Sequence, residues 1–241
     1  MKTALITGSS RGIGKAIALE LAAHGYQVVL NGLKNIQALQ ETEELICQSG
    51  GTCFSMPGDV GNYHTCQAIT SAALSRFGSI DILVNNAGIS HIGLLQQMTP
   101  AEWNRLIQTN LTSLYNMCSL LLPSMIARQK GSIINISSVW GITGASCEVA
   151  YSASKGAVNA FTKALAKETA PSGIRVNAVA CGAIDTEMNH FLSSEELSAL
   201  TEEIPTGRLG TPAEAAALVR TIAEGPSYLT GQVITLDGGW I

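Results

Sequence analysis

Short β-branched runs alternate with longer helix-patterned segments along almost the whole chain. That alternation limits the fold more than any other feature. Runs at 3–7, 27–31, 52–56, 80–85, 132–137, 175–180 and 232–236 read as strands. Their apolar residues are mostly not interleaved with polar ones, which is the pattern of strands covered on both faces. Segments 12–24, 35–49, 63–77, 100–128, 151–171 and 212–223 read as helices. Strand, helix and next strand then form right-handed βαβ units around one parallel sheet. The expected architecture is α/β and doubly wound, with seven parallel strands and helices on both faces. At 241 residues, with no linker, repeat or low-complexity stretch, 1–241 reads as a single domain.

Two helix starts have a clear mechanism. Thr99-Pro100-Ala101-Glu102 and Thr211-Pro212-Ala213-Glu214 each place Thr at the N-cap, Pro at N1 and Glu at N3. Segment 185–207 is the least regular part, and a substrate lid is expected there.

Composition removes several function classes. Net charge is −4 and Lys and Arg do not cluster, which argues against a nucleic-acid or anionic-membrane surface. No apolar run approaches the roughly 18 residues of a membrane span. The opening Met1-Lys2-Thr3-Ala4-Leu5-Ile6-Thr7 enters a strand pattern at once, without a signal-peptide layout, so a cytoplasmic location is expected. The six cysteines form no C-x-x-C and read as reduced thiols. The four histidines are scattered, and no metal site is expected. Only 13% of residues are charged, which suits a large parallel-sheet core, a subunit interface, or both.

Two local patterns carry chemistry. Thr7-Gly8-Ser9-Ser10-Arg11-Gly12-Ile13-Gly14 follows the first strand and opens the first helix. Small residues there let backbone approach a pyrophosphate at a helix N-terminus. The glycines at 8, 12 and 14 depart from the G-x-G-x-x-G spacing. Strand two ends Val28-Val29-Leu30-Asn31-Gly32, without the acid that holds the ribose hydroxyls of NAD. Arg11 and Lys34 lie where a 2′-phosphate could be met, so NADP(H) is the expected cofactor. Asp59, after strand three, suits either the adenine amino group or, as an ordinary turn residue, a cap on the next helix. The second pattern is Tyr151-Ser152-Ala153-Ser154-Lys155, whose ends share one helix face. An ammonium beside a phenol favours the phenolate and lowers its pKa from about 10. Ser138, thirteen residues upstream, could add a hydroxyl to the same site.

These elements together resemble the short-chain dehydrogenase/reductase family. They are Thr7-Gly8-x-x-x-Gly12-x-Gly14, Asp59-Val60, Asn85-Asn86-Ala87-Gly88, Asn110, Ser138, Tyr151-x-x-x-Lys155 and Asp237-Gly238-Gly239. Within the family, Gly93-Leu94-Leu95 and Gly207-Arg208-Leu209-Gly210 are most similar to 3-oxoacyl-[acyl-carrier-protein] reductases. The resemblance implies a Rossmann-type fold and a homotetramer. It implies that Tyr151 donates a proton, Lys155 lowers its pKa and bonds the nicotinamide ribose, and Ser138 bonds the carbonyl. Asn110 would hold a water linking Lys155 to solvent. Asn86, Ala87 and Gly88 would line the adenosine side, and Gly182, Ile184 and Thr186 the nicotinamide end. The implied activity is NADPH-dependent reduction of a 3-oxoacyl thioester, with an acyl carrier protein as candidate partner.

Three departures stand beside that resemblance. Cys181-Gly182 replaces the usual Pro-Gly. The loops where arginines would dock the carrier read Arg128-Gln129-Lys130 and Pro171-Ser172-Gly173, basic in the first only. Glu148 stands where a neutral residue is common. Leu94, Trp140, Ile142, Met188 and Phe191 suggest an apolar substrate pocket. A sugar, polyol, steroid or other ketone stays open as substrate. A non-catalytic NADP-binding sensor stays open as an alternative role.

Overall fold

The computed structural model describes residues 1–189 and 193–241. In chain order the strands are β1 (Thr3–Ile6), β2 (Gln27–Leu30), β3 (Cys53–Ser55), β4 (Ile82–Asn85), β5 (Gly131–Ser138), β6 (Ile174–Cys181) and β7 (Val233–Leu236). The helices are α1 (Gly12–Ala23), α2 (Ile36–Gln48), α3 (Tyr63–Phe77), α4 (Pro100–Ile107), α5 (Ser113–Arg128), α6 (Val149–Thr169), α7 (Ser194–Glu203) and α8 (Pro212–Glu224). The sheet runs β3-β2-β1-β4-β5-β6-β7 with every pair parallel.

The unalternated apolar runs have a direct cause. Successive strand side chains point to opposite faces, and both faces are covered here. Ala4 and Ile6 of β1 pack with Ile17 and Leu21 of α1, Leu39 and Ile46 of α2, and Val219 and Ile222 of α8. Leu5, between them, packs on the other face with Ile69 of α3, Met117 and Leu121 of α5, and Leu165 of α6. Each strand therefore needs apolar residues at even and odd positions alike.

The chain winds outward from β1 to β3, then returns to the far side of β1 to begin β4. Such a reversal opens a crevice beyond the carboxyl ends of the central strands, where ligands of open α/β sheets bind.

Two segments differ from the sequence expectation. The helix expected over 100–128 is interrupted by a wider π-turn, Gln108–Thr112. Apolar periodicity does not register one inserted residue, so it is invisible to pattern reading. Segment 185–207, expected to be irregular, contains α7. Its start is a capping box between Ser193 and Glu196, the same device as at Thr99 and Thr211 but without the Pro that marks those two. No helix among the described residues is long and apolar enough to cross a membrane.

Candidate active site

The crevice starts at the glycine turn. Gly8 and Gly12 have φ of +65° and +53°, in the left-handed region that favours glycine. A Cβ on Gly14 would lie 2.2 Å from the Gly8 carbonyl oxygen, so α1 can start this close to β1 only with glycine there. Asn86, just past β4, donates through Nδ2 to the Thr7 and Gly8 carbonyls at 3.0 and 2.9 Å. Thr7 Oγ1 accepts from the Asn86 and Ala87 N–H groups at 3.0 Å each. The end of β4 thus shapes the turn after β1.

The start of α1 carries neither a side-chain cap nor a first-turn acid. By contrast α2, α3, α4, α7 and α8 are capped by Asn35, Asn62, Thr99, Ser193 and Thr211. Uncapped N–H groups beside a positive dipole end suit an anion. The donor set therefore fits a dinucleotide pyrophosphate.

From this turn a cleft of about 840 Å³ passes the ends of β2 and β3 and reaches β5 and α6. The cofactor residues expected at 8, 10–14, 31, 34, 59, 60, 86–88, 151, 155, 182, 184 and 186 all line it. Several have other attachments as well. Asn31 is buried, and its amide donates to the Met56 and Gly58 carbonyls at 2.9 and 3.1 Å. Asp59 Oδ1 accepts from the Gly61 N–H at 2.8 Å, so it forms a turn, while Asn62 caps the next helix. Arg11 pairs with Glu187 at 2.6 Å, both side chains more than half exposed.

At the far end, Ser138 closes β5 and Tyr151 and Lys155 stand on α6. Ser138 and Tyr151 line the same end of the cleft, and the Ser138 hydroxyl, which accepts from the Trp140 N–H at 3.2 Å, is near enough to favour the phenolate. Lys155 Nζ lies 5.6 Å from the Tyr151 ring centroid and donates to the Ile136 carbonyl at 2.8 Å. Gly141 lets these parts meet, since a Cβ there would lie 2.6 Å from the Lys155 carbonyl carbon. Asn159 bolts the same turn to α6. It accepts from Ser137 Oγ at 2.6 Å and donates to the Gly141 carbonyl at 3.0 Å.

Asn110 is fully buried in the π-turn. Its Oδ1 accepts from the Ile89 N–H, and its Nδ2 donates to the Ile89 carbonyl, both at 2.8 Å. Nδ2 also donates to Ser154 Oγ at 3.1 Å, and that hydroxyl donates to the Tyr151 carbonyl at 2.7 Å. Asn110 thus ties the turn to the backbone of Tyr151.

A short-chain dehydrogenase family model matches residues 2–197. The chain belongs to the short-chain dehydrogenase family. It is 44% identical over 241 residues to the uncharacterized oxidoreductase YmfI of Bacillus subtilis (strain 168), covering 99% of this chain and 98% of that protein. It is 39% identical over 239 residues to the 3-oxoacyl-[acyl-carrier-protein] reductase FabG of Chlamydia muridarum, covering 99% and 96%. FabG of Staphylococcus aureus (strain Mu50) is also 39% identical over 239 residues, covering 99% and 97%.

The electrostatics of this short-chain dehydrogenase correct one expectation. Lys155 was expected to make Tyr151 acidic. Instead the phenol is held above its ordinary value. Removal from water is the main cause, the Ser138 hydroxyl opposes it, and the charges of Glu148 and Cys181 add to it. Burial also lowers the Lys155 ammonium to about 8. Burial pushes the Cys181 thiol up to about 12, with Lys155 pulling the other way. Cys181 is therefore a small hydrophobe here, not a nucleophile.

The substrate end needs further corrections. Trp140 and Met188 line the cleft, whereas Leu94 and Ile142 are exposed side chains outside its wall. Phe191 lies outside the described residues. Ser90 and Leu200, in the expected substrate segments 90–97 and 185–207, also line it, as do Arg105 and Trp240, which the sequence did not point to. Trp240 packs on Trp140 with ring centroids 4.8 Å apart. The Asp237-Gly238-Gly239 turn was the available signal. Asp237 accepts from the Gly239 and Ile241 N–H groups at 3.0 Å each, and the two glycines take positive φ, turning Trp240 inward.

Proposed function

We propose that this short-chain dehydrogenase uses NADPH to reduce a 3-oxoacyl thioester, or a similar ketone, to the 3-hydroxy product. The observation that carries this reading is the meeting of Ser138, Tyr151 and Lys155 at one end of a cleft whose other end is an uncapped helix N-terminus. The FabG relatives support the thioester as substrate.

The α1 N-terminus at Gly12 and Ile13 would hold the pyrophosphate, and Arg11 and Lys34 the 2′-phosphate. Ser10, Gly8, Gly14 and Asn31 would shape that end, with Asp59 and Val60 beside the adenine. Asn86, Ala87 and Gly88 would line the adenosine, and Gly182, Ile184 and Thr186 the nicotinamide. When bound there, NADPH would be the source of the hydride.

The chain's own residues handle the other half of the reaction. Charge grows on the substrate oxygen, where Ser138 donates a hydrogen bond and Tyr151 delivers its phenolic proton. The raised Tyr151 pKa keeps that proton in place at neutral pH. The phenolate left behind is stabilised by the Ser138 hydroxyl and the Lys155 ammonium. Asn110 positions Tyr151 through Ser154.

A cytoplasmic homotetramer accords with this role. Docking of an acyl carrier protein at the loops 128–130 and 171–173 has weaker support. Those loops precede β5 and β6 and so lie at the strand edge opposite the cleft. Arg128 is also engaged by Asp81 at 3.0 Å. The test is NADPH absorbance with acetoacetyl thioesters on pantetheine, coenzyme A and acyl carrier protein, beside a sugar and a steroid ketone. Turnover of the thioesters supports the reading. Inert thioesters with an active sugar or steroid ketone would overturn it.

A further inference from the structure

Glu148 occupies the N-cap position of α6 and makes no cap hydrogen bond. A carboxylate placed there ordinarily accepts from the first-turn N–H groups. Here Oε2 instead accepts from Ser90 Oγ at 2.7 Å, a residue on the segment after β4. Both residues line the cleft, beside Tyr151 and Trp140. Among the described residues, Oε1 has no hydrogen-bond partner and the carboxylate makes no ion pair. Arg105, on α4, lines the same cleft without pairing to it. The Glu148 charge also reaches the proton donor, where it is one of the influences raising the Tyr151 phenol.

A fixed negative charge beside the reacting carbonyl discriminates by sign. A substrate carboxylate next to its ketone would meet like charge at short range. A neutral ester or thioester would not. A substrate amide N–H or hydroxyl would find an acceptor already oriented by Ser90.

We infer that Glu148, clamped by Ser90, is a specificity-determining acceptor beside the proton donor. It admits neutral, hydrogen-bond-donating carbonyl substrates and excludes free keto acids. The inference rests on the carbonyl-reduction reading and names the substrate charge that reading leaves open.

The test uses three compounds sharing one ketone: acetoacetate, methyl acetoacetate and acetoacetamide. Two quantities are measured for wild type and Glu148→Gln. One is kcat/KM with NADPH. The other is Kd for the NADP-saturated protein, read from the fluorescence of Trp140 and Trp240. Wild type is expected to favour the ester over acetoacetate by about tenfold or more in both quantities, and the amide at least equally with the ester. Glu148→Gln is expected to narrow the acid-to-ester gap about tenfold by improving the acid. An unchanged gap in Glu148→Gln overturns the inference. So does wild type binding acetoacetate as tightly as its ester, whether or not the variant folds. If no compound turns over while the Kd gap persists and narrows in the variant, the activity reading fails and the charge selection stands.

Discussion

The ammonium of Lys155, on α6, donates to the carbonyl oxygen of Ile136 on β5. That bond spans helix and sheet and holds the charge beneath the Tyr151 ring. It also buries the charge, and burial lowers the ammonium to about 8. The proposed reduction would use the protonated form, which would offset the phenolate as Tyr151 gives up its proton. The ammonium is complete well below pH 8 and is lost as pH rises through it. The kcat/KM for ketone reduction should therefore be level near neutrality and fall above about pH 8, approaching tenfold per unit. A pH–rate profile checks this. A level profile up to pH 9.5 would show that the Lys155 charge is not required.

Tyr151→Phe removes only the phenolic oxygen. Reduction should slow by about 10²–10⁴-fold, the usual worth of general acid catalysis. NADPH affinity, measured by fluorescence titration, should change little, because the uncapped α1 N-terminus lies at the other end of the cleft. Normal turnover in this variant would remove the assigned proton donor.

Cofactor choice should depend on Arg11 and on its partner Glu187 at 2.6 Å. Arg11→Ala should weaken NADPH binding by about tenfold and leave NADH nearly unchanged, since only NADPH carries the 2′-phosphate. Glu187→Gln should act in the opposite direction by freeing the guanidinium. Paired NADPH and NADH titrations decide the point. Undiminished NADPH affinity in Arg11→Ala would take Arg11 out of the phosphate site.

Gly141→Ala tests the close contact behind the proposed catalytic residues. The added methyl would lie 2.6 Å from the Lys155 carbonyl carbon and 2.8 Å from its oxygen, and backbone atoms have little room to yield. Overpacking of this kind costs about 1–3 kcal/mol. Thermal denaturation should show the loss, and kcat should fall with it as Ser138 moves relative to Tyr151. Unchanged stability and activity would mean that the turn relaxes freely.

Much of the fold was readable in order along the chain. Six helices and seven strands follow from apolar periodicity and caps, because those signals are local. Where a signal was short or doubled in meaning, reading faltered. Ser193-x-x-Glu196 was overlooked without a following Pro. Asp59 suited a helix cap or an adenine contact; Asn62 takes the cap, and Asp59 Oδ1 holds the turn before it. Trp240 could not be linked to Trp140, because one hundred residues separate them.

The order of residues alone was enough to specify a doubly wound sheet, a glycine turn after its first strand, and Tyr151 and Lys155 on one helix face. Each depends on neighbours within a few positions. Packing decided the rest. It raised the Tyr151 phenol instead of lowering it, set Asn110 behind the wall, and brought Glu148 to Ser90. The reason is physical: proton affinities and hydrogen-bond partners depend on burial and on groups distant in sequence, and only the folded chain brings those together.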